Sequence, residues 1–383
     1  MRLCLVSLDI APVRSSGLAV YAERLARRLV EAGHDMTMVA ALRPGTSRTA
    51  AQNGMRVERV PIGRSDWIGY SLRAARHVRR MQRTNPFDVV HFLDCHFAWA
   101  YRGPFAASLF QSFRQRLTAD GGRPYASSGR NRLFRRVYYS AARVLLERPT
   151  VRRAGMLIAP SEASRDEFVR HYGIDAGRIA VVPEAVDTVR FAPHDTSALR
   201  RRLGLGGARV LLHVGFKTPR KGLEYLVSGM KDLPDDVWLL LVGTWEPNYR
   251  EKIIRAAGPG WRRVLEIGSV PDEEIATYFA LADLVVLPSL LEGFGLPALE
   301  AMACGTPVVG TTAGALGEVI GPCGVLVPPG DTAQLTQAVL DLLDDDPRRR
   351  FLGKQARERA VNVFSTERAG RGIAQAYRRY LEG

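Results

Sequence analysis

The chain has 383 residues, 46% of them hydrophobic and 24% charged, a composition that excludes disordered and fibrous classes. That length exceeds one typical core and suits two domains. The formal net charge of +15 is unevenly placed: residues 1–185 hold 30 arginines, no lysine and 15 acidic residues, whereas residues 186–383 hold 24 basic and 24 acidic ones. A one-sided positive excess implies an anionic surface or partner for the first half. Cys4, Cys95, Cys304 and Cys323 are scattered with no C-x-x-C pair. They suggest neither a disulfide framework nor zinc, and fit a reducing, cytoplasmic setting.

In chain order, Leu3–Leu8 reads as a buried first strand, because Asp9 interrupts the apolar run before it reaches signal-peptide length. A loop over residues 11–17 follows. Leu18, Tyr21, Ala22, Leu25, Ala26, Leu29 and Val30 then recur at helical spacing until Gly33 stops the pattern. Met36–Ala40, Val89–Leu93 and Met156–Ala159 read as further strands. Strand, loop, helix, strand at this spacing predicts a parallel sheet with right-handed crossovers.

The second half restarts the rhythm with strands Val210–Val214, Val237–Val242, Leu284–Leu287 and Pro307–Val309. Helices are predicted from Leu223, around Tyr249–Ala257 and at Ala298–Ala303. Two α/β units of similar size predict two facing open sheets, residues 1–185 and 186–364, hinged near Pro183–Pro193. Ligands of open parallel sheets sit beyond the carboxyl ends of the strands, so the cleft between domains is the expected site. The apolar stretch Ala280–Leu291 is broken by Asp283 and Pro288 and is too short to span a bilayer.

Two arginine clusters lie in the first half, Arg64–Arg83 and Arg123–Arg153. The first interleaves Trp67, Ile68, Tyr70 and Leu72 with Arg73, Arg76, Arg79, Arg80 and Arg83. It is either an interfacial helix on anionic lipid or a solvated helix face whose aromatics are core. Asp344–Asp346 ends a helix before Pro347 and reads as helix-end charge rather than a metal site.

The block Glu292-Gly293-Phe294-Gly295-Leu296-Pro297-Ala298-Leu299-Glu300 follows a strand and opens a helix. Pro297 suits the first helical turn, where its missing N–H is not needed. Gly293 and Gly295 let backbone N–H groups approach a ligand, and an anion such as a diphosphate belongs at that helix tip. Glu292 and Glu300 bracket the turn.

These residues form an E-x7-E motif, followed by Ala301-Met302-Ala303-Cys304-Gly305-Thr306-Pro307-Val308-Val309, and the chain resembles the retaining glycosyltransferases of family 4. The resemblance implies the GT-B fold, two facing Rossmann-like domains with parallel sheets and an interdomain cleft. It implies a hexosyl-type sugar moved from a nucleotide diphosphate sugar to an acceptor hydroxyl. Within it, Val214–Gly222 matches the phosphate-binding loop, where Lys221 and an arginine neutralise the diphosphate. Many members carry Arg where this chain has Phe216, so the second cationic role falls to Arg220.

By the same resemblance Gly215 admits the donor, Val270 in Ile267–Pro271 helps cradle the base, and Gly17 touches the donor phosphate. Donor contacts are further implied for Gly293, Phe294, Gly295, Leu296 and Glu300. His91 matches a strand-end histidine of the family, with a core histidine as the alternative. Ser16, Asp94, His96 and Gln111 are acceptor-side candidates, since the T-x-H strand end of the family is replaced by Ser108–Phe113. Ser161–Ser164 and Val182–Asp187 match the connector, and Ser365–Leu381 is expected to return to the first domain.

Glu292 then steadies an oxocarbenium-like centre while Glu300 holds ribose hydroxyls, and Arg220, Lys221 and the helix tip stabilise the leaving diphosphate. No D-x-D sits at an apolar strand end, so no metal and no other cofactor is expected beside a UDP- or GDP-sugar. The acceptor is expected to be a glycan or lipid-linked sugar of the cell envelope, reached at an anionic membrane surface on its inner face. Three other classes compete. A sugar-nucleotide 2-epimerase or glycogen-type synthase shares the fold. A basic lipid- or nucleic-acid-binding protein lacks any recognition element here, so no nucleic acid is expected. NAD-dependent redox chemistry lacks G-x-G-x-x-G after the first strand.

Overall fold

The computed structural model describes residues 1–10, 17–62, 66–118 and 131–382. Two units emerge, one built from Met1–Arg116, Phe134–Glu184 and Thr366–Gly383, the other from Leu117–Leu133 and Ala185–Ser365.

The first unit carries β1 (Arg2–Val6), β2 (Asp35–Leu42), β3 (Thr49–Gln52), β4 (Met55–Pro61), β5 (Val89–Phe92), β6 (Ala106–Ser108), β7 (Met156–Ala159) and β8 (Ile179–Val181). They form one sheet in the order β3-β4-β2-β1-β5-β6-β7-β8. β3 runs antiparallel to β4 and the other pairs are parallel. Side chains of β1 alternate between two cores, as the pleat requires. Cys4 and Val6 pack with Tyr70, Ala74, Val78 and Phe168, whereas Leu3 and Leu5 pack with Ala22, Leu25, Leu29, Ile373 and Tyr377.

The predicted helix after β1 spans Gly17–Glu31 and buries Ala19, Ala22, Leu25, Ala26 and Leu29, the face its periodicity marks. The last helix, Thr366–Glu382, shares that core through Ile373, Ala376 and Tyr377. Helix Asp66–Thr84 corrects the interfacial reading of the first arginine cluster. Its Tyr70 is fully buried, with the hydroxyl 2.5 Å from the Ser7 carbonyl, and Trp67 Nε1 donates to Tyr138 at 2.6 Å. Tyr70 is core, Trp67 packs half-buried against that core, and Arg73, Arg76, Arg79, Arg80 and Arg83 face water. No helix among the described residues is long and apolar enough to cross a membrane.

The second unit carries β9 (Arg209–Val214), β10 (Val237–Val242), β11 (Val264–Gly268), β12 (Leu284–Leu287), β13 (Val308–Thr311) and β14 (Val325–Val327). Their order is β11-β10-β9-β12-β13-β14, with every pair parallel. This is the doubly wound arrangement in which connections go one way from β9 and the other way from β12. Val285 and Leu287 face one core, Leu284 and Val286 the other. Asp345 caps helix Asp346–Val363 by accepting from Arg348 N at 2.9 Å, and Asp346 pairs with Arg349 at 2.6 Å. The acidic run is thus helix-end charge. All four cysteines are free and buried.

The return of the last helix is fixed by a polar contact. His91 Nδ1 lies 2.7 Å from the Tyr377 hydroxyl and His91 Nε2 lies 2.9 Å from Ser108 Oγ, all in the core. Tyr377→Phe leaves the imidazole one partner short and is expected to lower stability by about 1–3 kcal/mol. Urea denaturation of the two proteins measures this directly.

Candidate active site

In the second sheet the crevice between neighbouring strands whose connections diverge lies at the carboxyl ends of β9 and β12. The loop after β9, Gly215–Gly222, and the loop after β12, Pro288–Gly295, meet there. Their backbones are stitched together: Leu290 N and Leu291 N both donate to the Arg220 carbonyl, at 2.8 and 3.2 Å. Gly222 sits at φ +63°, and a Cβ there would fall 2.0 Å from the Pro288 carbonyl oxygen. Only glycine permits that approach.

This stitching brings Lys221 and Glu292 together. Lys221 Nζ donates to Glu292 Oε2 at 2.5 Å, Ser289 Oγ donates to the same oxygen at 3.2 Å, and Arg220 lies 4.0 Å from Oε1. Both Lys221 and Glu292 are buried. Burial would raise the Glu292 carboxyl, but Lys221, Arg220 and Ser289 outweigh it and hold the group below its ordinary range. Burial lowers the Lys221 ammonium, and Glu292 opposes that shift. Gly314, at φ +58°, packs against the Glu292 backbone, since a Cβ on it would lie 1.9 Å from the Glu292 carbonyl oxygen.

The helix after this loop, Leu296–Ala303, starts from Gly295 in the left-handed region at φ 104° with no side-chain cap. Leu296 and Pro297 stand at its tip, and Glu300 is half-buried within it. Gly293 is half-buried and Phe294 buried in the core beneath. Gly215, at φ 135°, opens the cationic loop, and Phe216 beside it is 47% exposed. Val270 packs on the same core after β11.

Three polar residues here escaped the sequence reading. Ser289 is one. Lys217 is fully buried, donates to the Gly243 carbonyl at 2.5 Å and lies 5.1 Å from the Trp245 ring centre, and burial pushes its ammonium down to about 8. His213 faces the Val286 carbonyl at 3.0 Å, which must accept, so Nδ1 carries the proton; burial pushes the ring down to about 3 and keeps it neutral. Its Nε2 has no partner among the described residues. All three follow or end an apolar strand, and that position was the available signal.

In the first unit, Asp94, His96 and Gln111 lie after β5 and β6, beside the point where connections from β1 and β5 diverge. Gly17 is exposed at the start of its helix, and Ser16 lies outside the described residues. His91 is not at a surface: it is buried with both ring nitrogens engaged, and burial pushes it down to about 3. That geometry fits the core alternative rather than a catalytic role. His96 is buried between two carboxylates, 2.7 Å from Asp94 and 2.9 Å from Glu147. Glu147 also accepts from Phe113 N at 3.1 Å and from the Tyr172 hydroxyl. Gln111 is half-buried. Asp94, Cys95 and His96 bring possible metal-ligand atoms within 4.8 Å of one another. Asp94 and Glu147 already occupy the imidazole, and burial pushes the Cys95 thiol well above its usual range, so the group reads as a hydrogen-bonded network.

Two α/β units carry mainly parallel sheets, and the second holds Lys221 and Arg220 beside Glu292 where its connections diverge. Residues 195–359 match the family model "Glycosyl transferases group 1" and residues 15–190 match "Glycosyltransferase Family 4". An MMP alpha-(1->4)-mannosyltransferase of Mycolicibacterium hassiacum is 31% identical over 100% of this chain and 98% of its own length. A D-inositol 3-phosphate glycosyltransferase of Geodermatophilus obscurus is 32% identical over 95% of this chain and 84% of its own. Sucrose-phosphate synthase from Thermosynechococcus elongatus superposes with a TM-score of 0.85 at 24% identity, covering 100% of this chain and 99% of that one. The Anabaena protein HepE, solved with UDP and glucose, gives 0.77 at 20% identity over 99% and 100%. The chain belongs to glycosyltransferase family 4, has the GT-B fold, and is a glycosyltransferase.

The buried His96 makes a pH prediction. Burial alone would lower this imidazole, but Asp94 and Glu147 together raise it to about 9. A raised pKa means the folded state holds the proton more tightly. The stabilisation is complete below about 6.5, the unfolded value, and is lost as pH rises through about 9. His96→Gln is expected to be less stable overall and to lack this loss. Urea midpoints of both proteins across that range compare the slopes.

Proposed function

We propose that the protein is a retaining hexosyltransferase that binds a UDP- or GDP-sugar at the β9–β12 crevice. The observation that carries this reading is the buried Lys221–Glu292 pair with Arg220 beside it. Two cations and an uncapped helix tip suit a diphosphate leaving group, whose charge develops as the glycosidic bond breaks. Bound donor brings two phosphates to Lys221, which then divides its charge between them and Glu292. Glu292, held ionised, hydrogen-bonds sugar hydroxyls and steadies the positive anomeric centre, while Glu300 takes the ribose hydroxyls. Gly215, Gly293, Gly295 and Val270 admit the nucleotide. The solved HepE complex with UDP and glucose supports a nucleotide-sugar donor. The mannosyltransferase relative supports hexosyl transfer.

The fixed cations take the place of a metal ion in this scheme. Acceptor binding falls to the first unit, near Asp94, His96, Gln111 and Gly17, and the acceptor is a glycan or lipid-linked sugar of the cell envelope. The positive excess of residues 1–185 supports action in the cytoplasm, at the inner, anionic membrane face.

Glu292→Gln keeps the shape of the side chain and removes its charge. It is expected to cut transfer about 100-fold or more, while a UDP- or GDP-sugar still raises the melting temperature. Transfer within a few-fold of wild type would refute the assigned role. Transfer in excess EDTA, followed with a radiolabelled donor, is expected to equal that without it; abolition by EDTA would overturn the metal-free scheme.

A further inference from the structure

The exposed apolar surface of the first unit is concentrated on one rod. Asn131–Ala142 is α-helical, Arg143–Glu147 continues as a π-helical turn, and Arg148–Arg153 resumes the α-helix. Phe134, Val137, Val144 and Leu145 on this rod are 69%, 59%, 56% and 70% exposed. Separated by three, seven and one residues, they fall on one side of the rod, away from its buried residues. The rod is not loose, because Tyr139, Ala142, Glu147, Thr150 and Val151 on its other side are buried. On the other described helices of the first unit, only Leu72 and Leu381 are exposed large hydrophobics.

Charge indicates what covers the stripe. Residues 131–153 hold seven arginines against one acidic residue, Glu147, which is buried and engaged with His96. Arg136, Arg148 and Arg152 are exposed. A second copy docked symmetrically would set one arginine rim against another. An anionic lipid surface satisfies both features at once, with apolar side chains entering the acyl boundary and guanidinium groups on phosphates.

We propose that this rod is the surface by which the protein lies on an anionic bilayer, with Phe134, Val137, Val144 and Leu145 inserted and the exposed arginines on headgroups. The proposal rests on the membrane reading given above, and assigns it to the second arginine cluster instead of the first.

The test is sedimentation of the full chain with phosphatidylglycerol-containing vesicles and with pure phosphatidylcholine vesicles, for wild type and for Phe134→Ser/Leu145→Ser. Both changes are at exposed positions, and circular dichroism checks that the fold is kept. Wild type is expected to bind only the phosphatidylglycerol vesicles. The double variant is expected to bind them about tenfold or more weakly, with its melting shift by nucleotide sugar unchanged. Wild type that binds neither vesicle overturns both this assignment and the membrane reading. A double variant that binds as tightly as wild type overturns the rod alone and leaves membrane association to another surface. Loss of a dimer in the double variant, measured by analytical ultracentrifugation, with no vesicle binding by wild type, assigns the stripe to a second copy and overturns the proposal.

Discussion

Lys221 and Glu292 are taken out of water together, 2.5 Å apart, where two strands of the second sheet part company. Desolvating two charges costs several kcal/mol per ion, and attraction between them does not always recover it. Two further groups shift that balance, because Arg220 adds a second positive charge and Ser289 a hydrogen bond. The backbone then holds the arrangement in register through Arg220 carbonyl contacts and through glycines that allow carbonyl oxygens within side-chain distance. An apolar pair would fill the same volume with less desolvation. The charged pair keeps a preorganised cation and anion ready for a ligand that carries both kinds of partner.

Much of the fold was legible because its strands are buried on both faces. Met156–Ala159, Val237–Val242 and Leu284–Leu287 read as short continuous apolar runs and are strands over those residues. β4 was not read, because Arg56, Glu58 and Arg59 interrupt it. Glu58 and Arg59 are nonetheless buried, Glu58 through pairing with Arg56 and His77. Tertiary pairing there overrides composition. β6, β8 and β14 span three residues each, too few to show a period.

The motif around Glu292 was legible because it is contiguous. What depends on contacts across the chain was not. The role of Ser289 follows from a carboxylate three residues on, which pattern alone does not orient. Lys217 lies inside the phosphate-loop match with no role to distinguish it, and only the fold shows it fully buried and bound to the Gly243 carbonyl. His91 needed Tyr377 for its assignment, and no local pattern joins them. The aromatics of Asp66–Thr84 and the apolar residues of Asn131–Ala142 have similar compositions beside arginine, and only burial separates core from surface.

The return of helix Thr366–Glu382 to the first unit also sets an order of events during synthesis. The bulk of the second unit, Ala185–Ser365, is made in one run, whereas His91 waits for a hydroxyl 286 residues downstream. On a ribosome the first sheet emerges early, with the face that Ile373, Ala376 and Tyr377 cover still open to solvent. That unit completes its core only after its last helix has been made, and in the interval its open apolar face is exposed to aggregation and to chaperones.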